Sequence, residues 1–250
     1  MARIPLSARM NGISNLNTAK KDGYKEMVLD IDVLVPAHEN FYSIEGIDEL
    51  AENMLDVGHI EPIAIAKVDG VFKIVSGHRR YYALRKNIDA GHGEFRKVRC
   101  TVKEMSQPMY MLTLTSANAF TRKLDDATLV QQAEVMEQAL QDLVDSGELK
   151  IAGKRRDYMA SLLGVSSTKM AQVNKINSSL IEEGKEALAS GEMNFSKAYE
   201  TARLEPEVQR LVIDARDMLS KDVKEMAKKM NFHVQTAEVE EPEIDEPAEE

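Results

Sequence analysis

The chain has 250 residues, with 32 Lys and Arg against 42 Asp and Glu for a formal net charge of -10, and it is 43% hydrophobic and 5% aromatic with no Trp. That length exceeds the usual single core and predicts one to three domains, with more than one as the default, while the shortage of aromatics argues against stacking platforms for single-stranded nucleic acid. The single cysteine excludes an internal disulfide, and no apolar run is long enough to span a bilayer, so the expectation is a cytoplasmic chain with no membrane partner.

Residues 1–22 are polar and Asn-rich, without a period, and read as a flexible arm; no signal-peptide stretch is present there. Met27 to Val35 alternates apolar and polar residues up to Pro36 and predicts one strand. Ile47, Leu50, Ala51, Met54 and Leu55 recur at helical spacing, with Gly58 placed as a C-cap. Pro62 to Val68 and Val71 to Ser76 flank Asp69-Gly70, a hairpin signal. A helix from about His78 to Ile88 and a strand from Val98 to Val102 come next, and Cys100 in that strand reads as a small core residue. The expectation is a compact mixed-sheet domain over 23–120.

Beyond it the pattern turns helical, for an α+β chain overall. Asp125 or Asp126 caps a helix whose apolar face is Leu129, Ala133, Met136, Leu140 and Leu143. Gly147, Gly153, Gly164, Gly184 and Gly191 punctuate the later helices, Pro206 suits a first helical turn, and Ser220 caps a last helix with Val223, Met226, Ala227 and Met230 on its apolar face. These helices make an all-α domain over 121–232. The tail, 233–250, holds Glu238, Glu240, Glu241, Glu243, Asp245, Glu246, Glu249 and Glu250 with no base, and is expected to be a disordered, solubilising segment. The negative charge therefore lies mostly there, and the rest of the chain is nearly neutral.

Two segments carry chemistry. In 156–176, Ala160 is small where two helices cross and Gly164 comes four residues later to permit a tight turn, with Met159, Leu163, Val165, Met170 and Val173 as the buried wedge. Ser166 is a natural N-cap for the second helix, and Ser167, Thr168, Ala171, Gln172 and Lys175 face outward. Lys150, Lys154, Arg155, Arg156, Lys169 and Lys175 gather around the motif against one acid, Asp157. The segment predicts a helix-turn-helix on double-stranded DNA. Arg155, Arg156, Ser166, Ser167, Thr168, Lys169, Ala171, Gln172 and Lys175 are its candidate DNA-binding residues, with Gln172 suited to adenine and Lys175 to phosphate or guanine. An ordinary helical hairpin is the competing structural reading. The second segment is Ser76-Gly77-His78-Arg79-Arg80, where a strand passes into a helix: free N–H groups, a close-approach glycine and two guanidinium groups make a phosphate site.

Ser76-Gly-His-Arg-Arg-Tyr-Tyr-Ala-Leu84 resembles the G-E-R-R-x-R-A motif of the ParB partition family, and Val57-Gly-His-Ile-Glu-Pro-Ile63 resembles the G-x-x-Q-P box that precedes it. Ala117-Asn-Ala-Phe-Thr-Arg-Lys-Leu124 is similar to E-N-x-Q-R-x-x-L, and Leu188–Met193 and Asp222–Met226 resemble the close of the family's central domain. The resemblance covers roughly 28–230. It implies a ParB/sulfiredoxin-like N-terminal domain that binds CTP with Mg2+ and closes a homodimer around DNA, with a partner ATPase as a further candidate. By position, Gly77, His78, Arg79 and Arg80 would hold the phosphates beside Ser76, while Gly58, His59, Ile60, Glu61 and Pro62 would line the base pocket. Asn118 would approach the metal. His78 replaces a glutamate, Ala117 the motif acid and Thr121 its arginine, with Arg122 adjacent. Losing the acid removes a hard ligand and a candidate for activating water, which leaves at most a slow CTPase.

The implied function is DNA partition, or its regulation, under a nucleotide switch. The tail in place of the family's usual small C-terminal dimerisation domain suggests a phage, plasmid or integrative-element member. The alternatives are a transcriptional regulator without nucleotide binding and a nuclease of the same fold. Sulfiredoxin chemistry lacks its nucleophile here, since Gly77 stands at that cysteine's place and Cys100 is too far along the chain.

Overall fold

The computed structural model describes residues 23–37, 46–58, 61–121 and 124–237. The expected N-terminal arm, the site candidates His59, Ile60 and Arg122, and the tail beyond 237 lie outside the described residues. The chain divides into two compact units, Met1–Met170 and Ala171–Glu250.

The first unit is built on a five-stranded mixed sheet of β1 (Lys25–Asp30), β2 (Leu34–Val35), β3 (Ile63–Val68), β4 (Val71–Ser76) and β5 (Lys97–Glu104), in the order β1-β5-β3-β4-β2. β3 and β5 run parallel, and β1 pairs with β5 antiparallel. β3 and β4 form the expected hairpin, with Asp69 at φ 50° and Gly70 at φ 83°, the left-handed pair that a tight two-residue turn requires.

The strand expected over Met27 to Val35 is two strands. A 3-10 turn, Ile31–Val33, breaks it: the Asp30 carboxylate accepts the Asp32 N–H at 3.1 Å, an Asx-type turn that competes with strand pairing. β1 and β2 then lie on opposite edges of the sheet. Four residue steps from Asp30 to Leu34 reach at most about 14 Å, whereas four strand spacings in a flat sheet need about 19 Å. The sheet must therefore curl, and Ile31 and Leu34 are buried inside the curl.

Strand alternation sends Ile63, Ile65, Ile74, Val98, Cys100 and Val102 to one face, under α1 (Ile47–Val57) and α2 (His78–Asp89). Gly58 caps α1 as expected, its N–H bonded to the Met54 carbonyl. Cys100 is 1% exposed, and burial pushes its thiol up to about 11. Ala66, Val68 and Val75 point the other way, against Tyr110 and Leu114 of α3 (Gln107–Thr121). That helix precedes Asp125, where the helical pattern was expected to begin. Its buried residues include Tyr110, Leu112, Leu114, Thr115 and Ser116, which wrap around the helix and leave no single apolar stripe to read. The Thr113 and Thr115 hydroxyls donate to the carbonyls four residues back, at 2.7 and 2.8 Å.

α4 (Asp126–Asp145) starts at the expected cap, Asp125 accepting the Thr128 N–H at 2.8 Å, and its five anticipated apolar residues are buried. α5 (Arg155–Leu163) packs on α3 and α4. The boundary between the units falls within α6 (Ser167–Ser179).

The second unit holds α7 (Glu182–Ala189), α8 (Phe195–Thr201), α9 (Pro206–Asp214) and α10 (Ser220–Ala237), with a core of Leu204, Val212, Val223 and Ala227. Pro206 occupies the first turn of α9 as expected. Gln209, 1% exposed, ties together three stretches of backbone: its carbonyl accepts the Ile181 N–H at 3.0 Å and its amide donates to Ser179 and Leu204 at 2.8 and 2.9 Å. The buried Lys197 donates to the Ala215 carbonyl at 2.9 Å, at the end of α9. Two expectations shift here. α10 continues to Ala237, through the first five residues assigned to the tail, since neither Gly nor Pro interrupts it. Gly184 lies inside α7 rather than ending a helix.

A Cβ on Gly184 would stand 2.7 Å from Leu180 Cδ1 and 2.8 Å from its Cγ. Gly184→Ala should therefore lower the thermal midpoint, because overpacking costs about 1–3 kcal/mol against a helix-propensity gain of at most about 1 kcal/mol; thermal unfolding followed by circular dichroism checks the sign. A second expectation concerns His78, which is 8% exposed and whose Nε2 accepts the Ala37 N–H at 3.2 Å. Burial pulls its imidazole down to about 4 from the ordinary 6.5. A depressed histidine contributes stability that is complete above 6.5 and is lost as pH falls toward 4, on the order of 3 kcal/mol in full. Denaturant midpoints measured across that window should fall for the wild type and stay flatter for His78→Gln, which keeps an acceptor without the titration.

Candidate functional sites

The phosphate-site candidate forms where β4 ends at Ser76 and α2 begins at His78. Gly77 between them has φ 101° and ψ 20°, a left-handed conformation that a side chain would strain, and no side chain caps the helix. Gly77 itself offers the first-turn N–H groups of α2 no side-chain acceptor, an arrangement that favours anions there. Arg79 is exposed, and among the described residues its side-chain hydrogen bond is a long one, Nη2 to the Gly46 carbonyl at 3.5 Å.

Its neighbours behave differently. Arg80 Nη1 donates to the Pro62 carbonyl at 2.7 Å and the Glu61 carbonyl at 3.0 Å, and lies 3.4 Å from the Glu61 carboxylate. It fastens the start of β3 to the first turn of α2, which brings Glu61 and Pro62 alongside the motif. The His78 ring turns inward to Ala37 and is withdrawn from any surface ligand. Gly58 stands at the end of α1. Asn118 is 9% exposed, within α3. Among the described residues no three His, Cys, Asp or Glu side chains converge as a metal group, and Ala117 supplies no carboxylate. The donors suit an anion and do not suit a divalent cation.

The second candidate is the α5–α6 segment. Gly164 takes φ 68°, and its N–H and that of Val165 both reach the Ala160 carbonyl. The Ser166 hydroxyl accepts the Lys169 N–H at 3.1 Å, as an N-cap does. Met159, Ala160, Leu163, Met170 and Val173 are buried and Val165 is half-buried. Ser167, Thr168 and Lys175 are exposed, and Ala171 and Gln172 half-buried.

The basic cluster divides in two. Arg155 is held by Glu137 at 2.9 Å and Gln141 at 2.6 Å, and Lys169 by Asp126 at 2.8 Å, all three partners on α4. Lys150, Lys154 and Arg156 are exposed, as is Lys175, whose ammonium donates to Ser179 at 3.0 Å. Asp157 lies 3.5 Å from Arg156 and accepts the Ser167 hydroxyl at 2.6 Å. The sequence offered no signal for the grips on Arg155 and Lys169, because their partners lie 14 to 43 residues away.

Among the described residues no helix is long and apolar enough to cross a membrane. No curated protein sequence matches the chain. Residues 18–119 match the ParB N-terminal domain family. Among solved structures, the C-terminally truncated chromosome-partitioning protein ParB from Caulobacter crescentus, complexed to the centromeric parS site, superposes with a TM-score of 0.51 at 18% identity, over 82% of this chain and 99% of that one. A Pnob8-like ParB-N domain matches with a TM-score of 0.50 at 12% identity, over 86% of this chain and 97% of that one. These likenesses are of fold. With the family match over the curled sheet and its Gly77 turn, they give residues 18–119 the fold of a ParB N-terminal domain, with a helical region following it.

Proposed function

We propose that this protein binds double-stranded DNA in partition or its regulation, through a helix-turn-helix made by α5 and α6, under the control of a nucleotide held at the start of α2. The observation that carries the proposal is the α5–α6 turn: Gly164 in the left-handed region, Ser166 capping α6, exposed Ser167 and Thr168 opening that helix, and exposed Lys154 and Arg156 around the start of α5, with Gln172 and Lys175 further along α6. Support for the partner class comes from the Caulobacter ParB of like fold, solved on its centromeric site. Residues 23–120 would form the nucleotide part and 121–232 the DNA part of a cytoplasmic homodimer. The wider context would be a mobile element, with a partner ATPase.

CTP is the nucleotide that the family resemblance implies. Gly77 and the first-turn N–H groups of α2 would take its phosphates, Arg79 would supply a forked donor, and Glu61 and Pro62, fixed by Arg80, would border the base. Ser76 would border the same turn. Asn118 and Ala117 do not furnish the hard anionic ligands that magnesium takes. The nucleotide would act as a switch: a ligand that binds one state better shifts the population without being consumed.

Titration of the full chain with each of the four NTPs should show CTP binding, and Arg79→Ala should weaken it about tenfold to a hundredfold, the loss expected of a charge-assisted donor, while DNA affinity stays. If none of the four binds, the plain regulator replaces the switch. Phosphate release should be absent or slow in either case.

The divided basic cluster gives a second test. Neutralising Lys154 or Arg156 should reduce the slope of log affinity against log salt by roughly 0.9 for each phosphate that is no longer neutralised. Arg155→Met should leave that slope unchanged and lower the thermal midpoint, since Arg155 is spent on Glu137 and Gln141.

A further inference from the structure

The hydrogen bond between Ser167 and Asp157 bears on what α6 can recognise. Ser167 is the first residue of α6, and its hydroxyl proton goes to the Asp157 carboxylate at 2.6 Å, in the short range of charge-assisted O–H···O bonds. The Ser167 hydroxyl, followed by Arg156 and Lys154, holds the Asp157 carboxyl below the ordinary carboxylate range, so it stays ionised and can only accept. A hydroxyl has one proton, and here it is committed. Both side chains are exposed, and together they offer lone pairs alone to whatever faces the start of α6.

In a helix-turn-helix the first residues of the second helix meet base edges. Phosphate oxygens, guanine O6 and N7, and thymine O4 are acceptors and would confront these lone pairs. The amino groups at adenine N6 and cytosine N4 are donors and complement them. We propose that the Ser167–Asp157 pair is a specificity element that selects a base bearing an exocyclic amino group, adenine or cytosine, in the major groove opposite the start of α6. The inference rests on the DNA-binding proposal above and adds to it the chemical class of base that is read. It also reverses the role that a serine at this position would otherwise have, as a donor to phosphate.

The test is selection of duplexes from a randomised pool by the full chain, for the wild type, Asp157→Asn and Ser167→Ala. The wild type should enrich adenine or cytosine at one position of its site. Asp157→Asn introduces an amide donor and should broaden that position to admit guanine or thymine, adenine remaining compatible with an amide, and Ser167→Ala should relax it. In the selected duplex, a base at that position lacking only its amino group should cost the wild type about tenfold in affinity and cost either variant about twofold or less. The analogue measurement needs no substitution in the protein, so it holds even if a variant folds poorly. A wild type that retains no duplex overturns the DNA-binding proposal, and this inference with it. Retained duplexes with one preference common to all three proteins, or an analogue that binds the wild type equally well, overturn this inference alone.

Discussion

The span from Asp30 to Leu34 constrains the first unit more than any other part of the chain. Two strands joined by three residues sit at opposite edges of one sheet, so the sheet curls to bring those edges together. The curl is filled from within by Ile31 and Leu34 and from the strands by Ile63, Ile65 and Ile74. Ala37, just past β2, is then near enough to give its N–H to His78 in the first turn of α2. The Gly77 turn is thus anchored by a contact 41 residues distant in sequence. Asp32 in the same bridge is also gripped by Arg85 and Arg96, from α2 and the segment before β5.

Among the described residues, three pairs of cations in the two candidate sites use charge in the same divided way. In each, one cation serves the architecture and a neighbour is left exposed. Arg80 binds the carbonyls of Glu61 and Pro62 while Arg79 reaches outward. Arg155 is fixed to α4, while Arg156 is exposed beside Asp157. Lys169 is fixed to Asp126, while the exposed Lys175 donates to a serine of its own helix. An arginine pair in such a motif is therefore two different residues physically: a fork spent on carbonyls cannot also clamp a phosphate without releasing them.

Local patterns were legible in the sequence and distant contacts were not. Asp69-Gly70 announced its hairpin, Asp125 its cap, and Gly58 and Gly164 their left-handed turns, because each depends on residues within one turn of chain. Motifs along both units pointed to the ParB-like family, and the family match over 18–119 bears out those of the first unit. What escaped was set by tertiary packing. The break at Ile31–Val33 lies in a run whose alternation continues across it, and α3 has no stripe because several of its sides are covered. Gly184 looks like punctuation, yet it is there because Leu180 occupies the space of its Cβ. His78 matched a motif position, and only the structure shows the ring drawn inward.

Cys100 sits in β5, flanked by β1 on one side and β3 on the other, with its thiol in the core beneath α1 and α2. As the chain's one cysteine, it makes sulfur chemistry a clock for the fold itself. An alkylating reagent can reach that sulfur only after the curled sheet has opened, and only after the thiol has been freed from the burial that suppresses its ionisation. The rate of modification would then track the opening equilibrium of the first unit, unmixed with signal from any other site.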